Sequence, residues 1–179
     1  LLAWGADRFK DIKSIVFFCL SLLILILALF AGVRNIGVGT DTLVYSDEYF
    51  NAGKELKGWS DILTFDSNKF RNKSYVLLNY GASYLSNNVW IALFFTELAI
   101  LVPLYLSIYK YSHTISVKYV VFTILYLFTF YNFSFNIMRQ SCAVSFVFWA
   151  FCFYKEQKWA FFLITMFIAY HFHSTSIIY

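Results

Sequence analysis

An apolar run at residues 14–31 constrains this chain more than any other feature of its sequence. At 1.5 Å of rise per residue, a helix of this length crosses the hydrocarbon layer of a membrane, which is about 30 Å thick. The run lacks the small-residue cleavage site of a signal peptide, so we interpret it as a retained spanning helix. Charged residues make up 13% of the chain, against about 25% in soluble domains. The sequence therefore predicts an integral membrane protein.

Four later apolar runs also qualify as spans, although two of them are short unless their aromatic ends lie at the membrane interface. These runs cover approximately residues 89–109, 117–131, 140–154 and 159–179. We predict an all-α, polytopic membrane protein with about five transmembrane helices and a long extracytoplasmic loop, 33–87, after the first. Within this loop, residues 75–86 are too short to span and are interpreted as an interfacial or re-entrant helix.

The two ends of the chain suggest a piece of a longer protein. The sequence begins at Leu1 without Met and stops at Tyr179 inside an apolar stretch. We therefore expect residues 1–179 to form a single transmembrane domain, and we expect further spans outside this sequence to complete the helix bundle.

Lysine and arginine residues in short loops predict the orientation of the chain in the membrane. They precede the first apolar run or flank two later turns, at Arg8, Lys10, Lys13, Lys110, Lys118, Lys155 and Lys158. With five spans these segments all fall on one side, which we take as cytoplasmic. If residues 75–86 cross the membrane instead, everything after them inverts.

Polar residues from distant parts of the sequence converge on the predicted outer face. They are Arg34, Asp41, Arg139, Gln140, His171 and His173. A shared outward-facing site would explain them, but so would arginine snorkelling to headgroups and histidine packing in an aromatic belt. Glu97 lies near the middle of the second run, where an acid usually faces the bundle interior or a watery cavity. A protonated Glu97 bonded to a neighbouring helix is the alternative.

Some partners are excluded by the distribution of charge and cysteine. The net charge is +4, but the basic residues are not clustered with aromatic residues, so we expect no nucleic acid. The cysteines Cys19, Cys142 and Cys152 lie inside apolar runs and lack metal-ligand spacing. No cluster of acids has such spacing either, so we expect neither a metal nor another cofactor.

Three stretches carry motifs whose order and spacing are informative together: "ALFAGVRNIGVGTDTLVY" (28–45), "YNFSFNIMRQSCAVSFVFWA" (131–150) and "IAYHFHSTSII" (168–178). They resemble the EpsG-type family of bacterial polysaccharide polymerases, which is related to the Wzy O-antigen polymerases. The family pattern falls on Arg34 with Val38, Gly39, Thr40 and Asp41; on Asn136, Arg139 and Gln140; and on Phe172 and His173. His171 is a second histidine that the pattern does not need.

The resemblance implies a multi-pass glycosyltransferase at the outer face of the bacterial cytoplasmic membrane, making exopolysaccharide, capsule or O-antigen. It would transfer a glycan from an undecaprenyl diphosphate carrier to a lipid-linked repeat unit, with membrane lipid and other polysaccharide assembly proteins as further partners. The catalytic candidates are Arg34 and Arg139 for the diphosphate, and Asp41 or His173 for the acceptor proton. The substrate-binding candidates are Tyr45, Asn136, Gln140, His171 and Glu97.

Other functions are compatible with the same residues. A transporter or flippase for an anionic lipid or solute would also use arginines and an intramembrane Glu97. A ligase or acyltransferase could modify a glycan with His173. A structural subunit of an export assembly would tolerate changes at Arg34 and Arg139.

Overall fold

The computed structural model describes residues 1–64, 72–115 and 118–178, and the regular structure in these ranges is helical, without a β-strand. This confirms the predicted all-α class. The α-helices are α1 (Leu2–Arg8), α2 (Lys13–Gly32), α3 (Thr40–Glu55), α4 (Trp59–Thr64), α5 (Lys73–Leu85), α6 (Trp90–Ile115), α7 (Tyr119–Leu125), α8 (Tyr131–Ser134), α9 (Met138–Lys155) and α10 (Trp159–Phe172). A π-helical turn at Tyr126–Phe130 joins α7 to α8, and a 3₁₀-helix, Ser174–Ile178, follows α10.

The long helices run between two ends of a bundle: α6 and α9 are parallel, since Cys142 contacts Thr96 near their beginnings and Tyr111 contacts Cys152 near their ends, and α2 and α10 run in the opposite direction. Helix α6 packs against α2 and α9, and α10 packs against α9. Consequently α2 and α10 finish at the end where α6 and α9 begin, which we call the site end. The crossing of α2 over α6 is close there, because Gly32 has no side chain: a Cβ would lie 3.1 Å from the Cβ of Phe94.

Two helices among the described residues are long and apolar enough to cross a membrane, Lys13–Gly32 and Trp90–Tyr111. They coincide with the first two predicted runs. Tyr119–Ser134 and Trp159–Phe172 are shorter apolar helices. The five-span topology therefore stays a prediction.

The predicted loop at residues 33–87 contains α3, α4 and α5. Helix α5 packs against α3, α6 and α10. Gly53 permits the close approach of α3 to α5, because a Cβ at that position would lie 2.9 Å from the backbone nitrogen of Tyr80. The extracytoplasmic placement of this segment, and the interfacial or re-entrant position of residues 75–86, stay predictions.

The opposite end of the bundle gathers the basic segments that predicted the orientation. Asp7 accepts hydrogen bonds from the first two backbone N–H groups of α7, at 2.8 and 3.0 Å, and so joins α1 to α7. Lys110 and Lys158 both pair with Glu156, at 2.7 and 2.9 Å. The basic segments before α2, after α6 and before α10 thus lie together, away from the site end.

Candidate functional site

A polar cleft opens at the site end of the bundle. It is lined by Asp41 of α3, by His173, which directly follows α10, and by four residues around the start of α9: Asn136, Ile137, Arg139 and Gln140. The cleft holds about 170 Å³, less than the roughly 300–1,000 Å³ of pockets that enclose a drug-sized ligand. It therefore fits one charged group or part of one sugar, and it unites most of the polar residues that the sequence motifs predicted.

Two contacts join the first two sequence motifs beside this cleft. The side-chain oxygen of Asn136 accepts a hydrogen bond from the backbone N–H of Thr40 at 2.9 Å, which satisfies an amide in the first turn of α3. Gly39 immediately before has φ +95°, and a Cβ there would lie 2.5 Å from the carbonyl oxygen of Phe135. The Val-Gly-Thr-Asp motif is thus positioned by the segment that leads into α9.

Asp41 lies where the first turns of α3 and α9 meet. It is half-buried, and the backbone N–H of Met138 donates to its carboxylate. Burial raises the pKa of Asp41, and the nearby charge of Arg139 and the Met138 hydrogen bond only partly oppose this shift. A carboxylate with a raised pKa is a stronger base than an ordinary surface aspartate.

Arg139 is held by buried side chains from two other segments. Its Nη1 donates to the hydroxyl of Tyr49 at 2.8 Å, and its guanidinium lies 5.4 Å from the centroid of the Tyr49 ring. Asn72 accepts from the same Nη1 when its amide nitrogen donates to the carbonyl oxygen of Phe172 at 3.0 Å. Tyr49 and Asn72 are neutral, so these two contacts orient the guanidinium through hydrogen bonds.

The two histidines have different surroundings. His173 lines the cleft, and its Nδ1 lies 2.7 Å from the hydroxyl of Thr175. Burial, and then the charge of Arg139, lower the pKa of His173, which favours the neutral imidazole. His171 instead packs edge-on against Phe167 and Tyr170, with 4.4 and 5.4 Å between the ring centroids. It is not among the residues that line the cleft.

Arg34 lies outside the cleft, although it contacts Met138, the residue that precedes Arg139 in α9. Its Nη1 donates to the carbonyl oxygen of Ala31 at 2.8 Å, and its Nη2 donates to Thr42 Oγ1 at 3.2 Å. The same Nη2 lies 3.4 Å from the sulfur of Met138. Arg34 therefore lines a different cavity, and the structure does not bring the two predicted arginines into one pocket.

Glu97 and Tyr45 also lie apart from the cleft lining. Glu97 is 2% exposed and faces the bundle interior. The hydroxyl of Tyr126 donates to its Oε1 at 2.5 Å, and Ser134 Oγ approaches Oε2 at 3.4 Å. Tyr45 belongs to α3, but its side chain lies outside the described part of the structure.

No three His, Cys, Asp or Glu side chains converge within residues 1–64, 72–115 and 118–178 in a way that could hold a metal ion. A reaction that needs no metal stays a prediction.

The comparison with protein families matches the model of the EpsG family over residues 17–179. The chain belongs to the EpsG family. EpsG proteins are polysaccharide-polymerase-like membrane proteins, so this chain is a membrane protein of polysaccharide biosynthesis. The match includes all three motif stretches and confirms the resemblance seen in the sequence. No curated protein and no solved structure matches the chain.

The sequence analysis did not predict Tyr49 and Asn72 as the residues that orient Arg139 at the cleft. Tyr49 lies seven residues after Thr42, which is two helical turns, so both project from a similar face of α3. This spacing was a usable signal. Asn72 had no comparable signal, because it lies at the start of α5 in a polar stretch and approaches Arg139 only through the packing of α5 against α10.

Proposed function

We propose that this chain is a polysaccharide polymerase. It transfers a glycan from an undecaprenyl diphosphate carrier to a lipid-linked repeat unit at the outer face of the bacterial cytoplasmic membrane. The observation that supports this function best is the cleft itself, which combines a guanidinium, a carboxylate and an imidazole from three distant motifs. Membership of the EpsG family supports the same reaction class.

Arg139 stabilises the leaving group in this proposal. As the bond between the anomeric carbon and the diphosphate oxygen breaks, its electron pair leaves with the diphosphate, where negative charge accumulates. A guanidinium binds phosphate oxygens in a planar fork, and the adjacent first turn of α9 adds a favourable dipole. Arg139 is the second residue of α9, so both effects act at the same place.

Asp41 accepts the proton of the acceptor hydroxyl, whose oxygen forms the new bond to the anomeric carbon. The raised pKa of Asp41 suits this role, and its position on the cleft wall places it beside the Arg139 guanidinium. His173 is neutral and donates or accepts a hydrogen bond with a sugar hydroxyl. The side-chain amide of Gln140 also lines the cleft, where it can bind a second hydroxyl.

The two histidines supply a matched test of this function. We expect His173→Gln to lower the rate of polymer formation about tenfold or more, because the glutamine amide cannot place its hydrogen bond to a sugar hydroxyl where the imidazole does. His171→Gln should leave the rate unchanged, since His171 lies outside the cleft. The measurement is polymer formation, together with release of undecaprenyl diphosphate, from lipid-linked repeat units in vesicles that contain the protein.

The same assay separates polymerase from transporter. A polymerase releases one undecaprenyl diphosphate for each bond formed, whereas a transporter moves the lipid-linked unit without releasing the carrier. Wild-type protein that moves the substrate across the vesicle membrane without releasing the carrier would overturn the proposal. Equal losses in the two histidine variants would remove the cleft from the reaction.

The pH dependence identifies the base. Asp41 works as a base only when ionised, so activity is present above its pKa and is lost as the pH falls through it. Because burial raises this pKa, we expect the acidic limb at a higher pH than the ordinary aspartate value of about 3.9. The measurement is the pH profile of polymer formation in wild type and in His173→Gln. The limb should persist in the variant, and its disappearance there would make His173 the base.

A further inference from the structure

Glu97 is a buried acid that the proposed reaction does not use. It lies in α6, and its partners belong to the segment between α7 and α9. They are Tyr126, the first residue of the π-helical turn, and Ser134, the last residue of α8. All three residues are buried. A carboxyl group inside an apolar bundle costs free energy unless its hydrogen bonds are satisfied, so the contacts of Glu97 indicate what this residue does.

The hydrogen bonds around Glu97 are those of a neutral carboxylic acid. The hydroxyl of Tyr126 donates to Oε1 at 2.5 Å. The hydroxyl of Ser134 has one proton, which it donates to the carbonyl oxygen of Tyr131 at 2.7 Å. Ser134 Oγ is then an acceptor for Glu97 Oε2, which lies 3.4 Å away. This bond requires a proton on Oε2, so one oxygen of Glu97 accepts a hydrogen bond while the other donates one.

Arg34 does not pair with this carboxyl group. The field of Arg34 reaches Glu97, but these two side chains, both of them described, form no ion pair. The guanidinium of Arg34 stacks instead on the ring of Phe135, at 4.0 Å from the ring centroid. Arg34 and Glu97 therefore hold two consecutive residues, Ser134 and Phe135, from different sides.

The segment that Glu97 anchors leads directly into the cleft. Two residues after Ser134, Asn136 accepts a hydrogen bond from the backbone N–H of Thr40 at 2.9 Å and lines the cleft. Arg139 follows as the second residue of α9. Only a π-helical turn and an α-helix of four residues connect α7 to this point. The position of so short a segment depends on side-chain contacts such as those of Glu97.

We propose that Glu97 is a positioning residue, which as a neutral acid holds the segment before α9 and thereby sets the position of Arg139 in the cleft. This inference rests on the proposed function, because Arg139 acts there on the leaving group. Glu97 then has a role that involves neither contact with substrate nor a change of charge. Any side chain of this size that accepts one hydrogen bond and donates another can fill the role.

The test compares two substitutions of Glu97. Glu97→Gln preserves the size of the side chain, the acceptor for Tyr126 and a donor for Ser134. Glu97→Leu has neither group and leaves the buried hydroxyl of Tyr126 without its acceptor. Ser107→Ala is the matched control, because it removes a buried hydroxyl of the same helix whose hydrogen bond, to the carbonyl oxygen of Pro103, stays within α6.

The first measurement is the rate of polymer formation in vesicles at matched amounts of folded protein. We expect rates within about twofold of wild type for Glu97→Gln and for Ser107→Ala, since neither change leaves a buried partner of the α8 segment unsatisfied. Glu97→Leu should lower kcat about tenfold or more, because the Tyr126 hydroxyl then has to find another partner and the segment shifts. Equal losses in Glu97→Gln and Glu97→Leu would mean that an ionised carboxylate is needed, which overturns the inference.

A double variant separates positioning from a general loss of structure. In an Arg139→Ala background, Glu97→Leu should lower kcat by less than about threefold, because the residue that Glu97 positions has been removed. A general structural defect would instead lower the rate by the same factor with and without Arg139. That result would overturn the positioning role.

Infrared spectroscopy gives a readout that does not depend on polymer formation. The wild-type spectrum minus that of Glu97→Gln should contain the C=O band of a protonated carboxyl group at neutral pH, and absence of this band would overturn the inference. If wild type shows the band but forms no polymer, the proposed function and the positioning role are both wrong, and Glu97 is still a neutral acid. If polymer forms at the normal rate in Glu97→Leu, the proposed function stands and only the positioning role is wrong.

Discussion

Replacing Arg139 by Ala should lower the rate of polymer formation by a factor of about 10² to 10³. A preorganised donor at a developing negative charge contributes this much in other enzymes. Arg139→Lys should also be strongly impaired. In wild type, Nη1 donates to Tyr49 while the other guanidinium N–H groups remain for the phosphate oxygens, and a single ammonium cannot reproduce this planar geometry. The measurement is polymer length and rate from lipid-linked repeat units, at matched membrane levels of the protein.

The control for Arg139 is Arg8→Ala, which removes an exposed arginine at the opposite end of the bundle. It should leave polymer length unchanged. If both Arg139 variants insert normally and also make polymer of normal length, Arg139 is an interfacial anchor, and the cleft loses its central cation. Activity retained by Arg139→Lys alone would instead indicate that charge suffices without the planar fork.

Gly39→Ala should destabilise the cleft more than any other single-methyl change at the site end. The glycine has φ +95° and ψ 129°, a conformation that is essentially restricted to glycine and that costs other residues about 1–3 kcal/mol. The added Cβ would lie 2.5 Å from the carbonyl oxygen of Phe135, and overpacking adds about 1–3 kcal/mol. We expect a loss of about 2–6 kcal/mol, measured as a lower midpoint of thermal unfolding in detergent, and loss of polymer formation.

Gly37→Ala is the matched control for Gly39→Ala, two residues away in the same motif. A Cβ at Gly37 would meet only the side chain of Asn35, at 3.3 Å, and that side chain can shift. We expect stability and activity close to wild type. If Gly39→Ala unfolds at the wild-type temperature, the tight contact between the Val-Gly-Thr-Asp motif and Phe135 is absent in the folded protein.

The fold was predictable where the sequence repeats one strong signal. Long apolar runs gave α2 and α6, because hydrocarbon tolerates only a backbone whose hydrogen bonds are internal. Helices α3 and α5 were harder, since they are less apolar and depend on tertiary packing. Their close crossing at Gly53 depends on one missing side chain, and a single glycine in a polar stretch is also typical of a turn.

The site was predictable from its motifs but not in its connections. Asp41, Arg139 and His173 meet as expected, because each follows or begins a helix that reaches the site end. The separation of Arg34 was not predictable, because its guanidinium is held outside the cleft by the Ala31 carbonyl and the Thr42 hydroxyl, which no motif indicates.

The hydrogen bond between Asn136 and Thr40 has a consequence for the time course of synthesis. The backbone N–H of Thr40, in the first turn of α3, donates its hydrogen bond to the side chain of Asn136, which lies 96 residues later in the chain. At about 5–20 residues per second, the ribosome makes that side chain roughly 5–20 s after Thr40. Until then this amide lacks its native partner, so the cleft assembles after the first two long helices have been made.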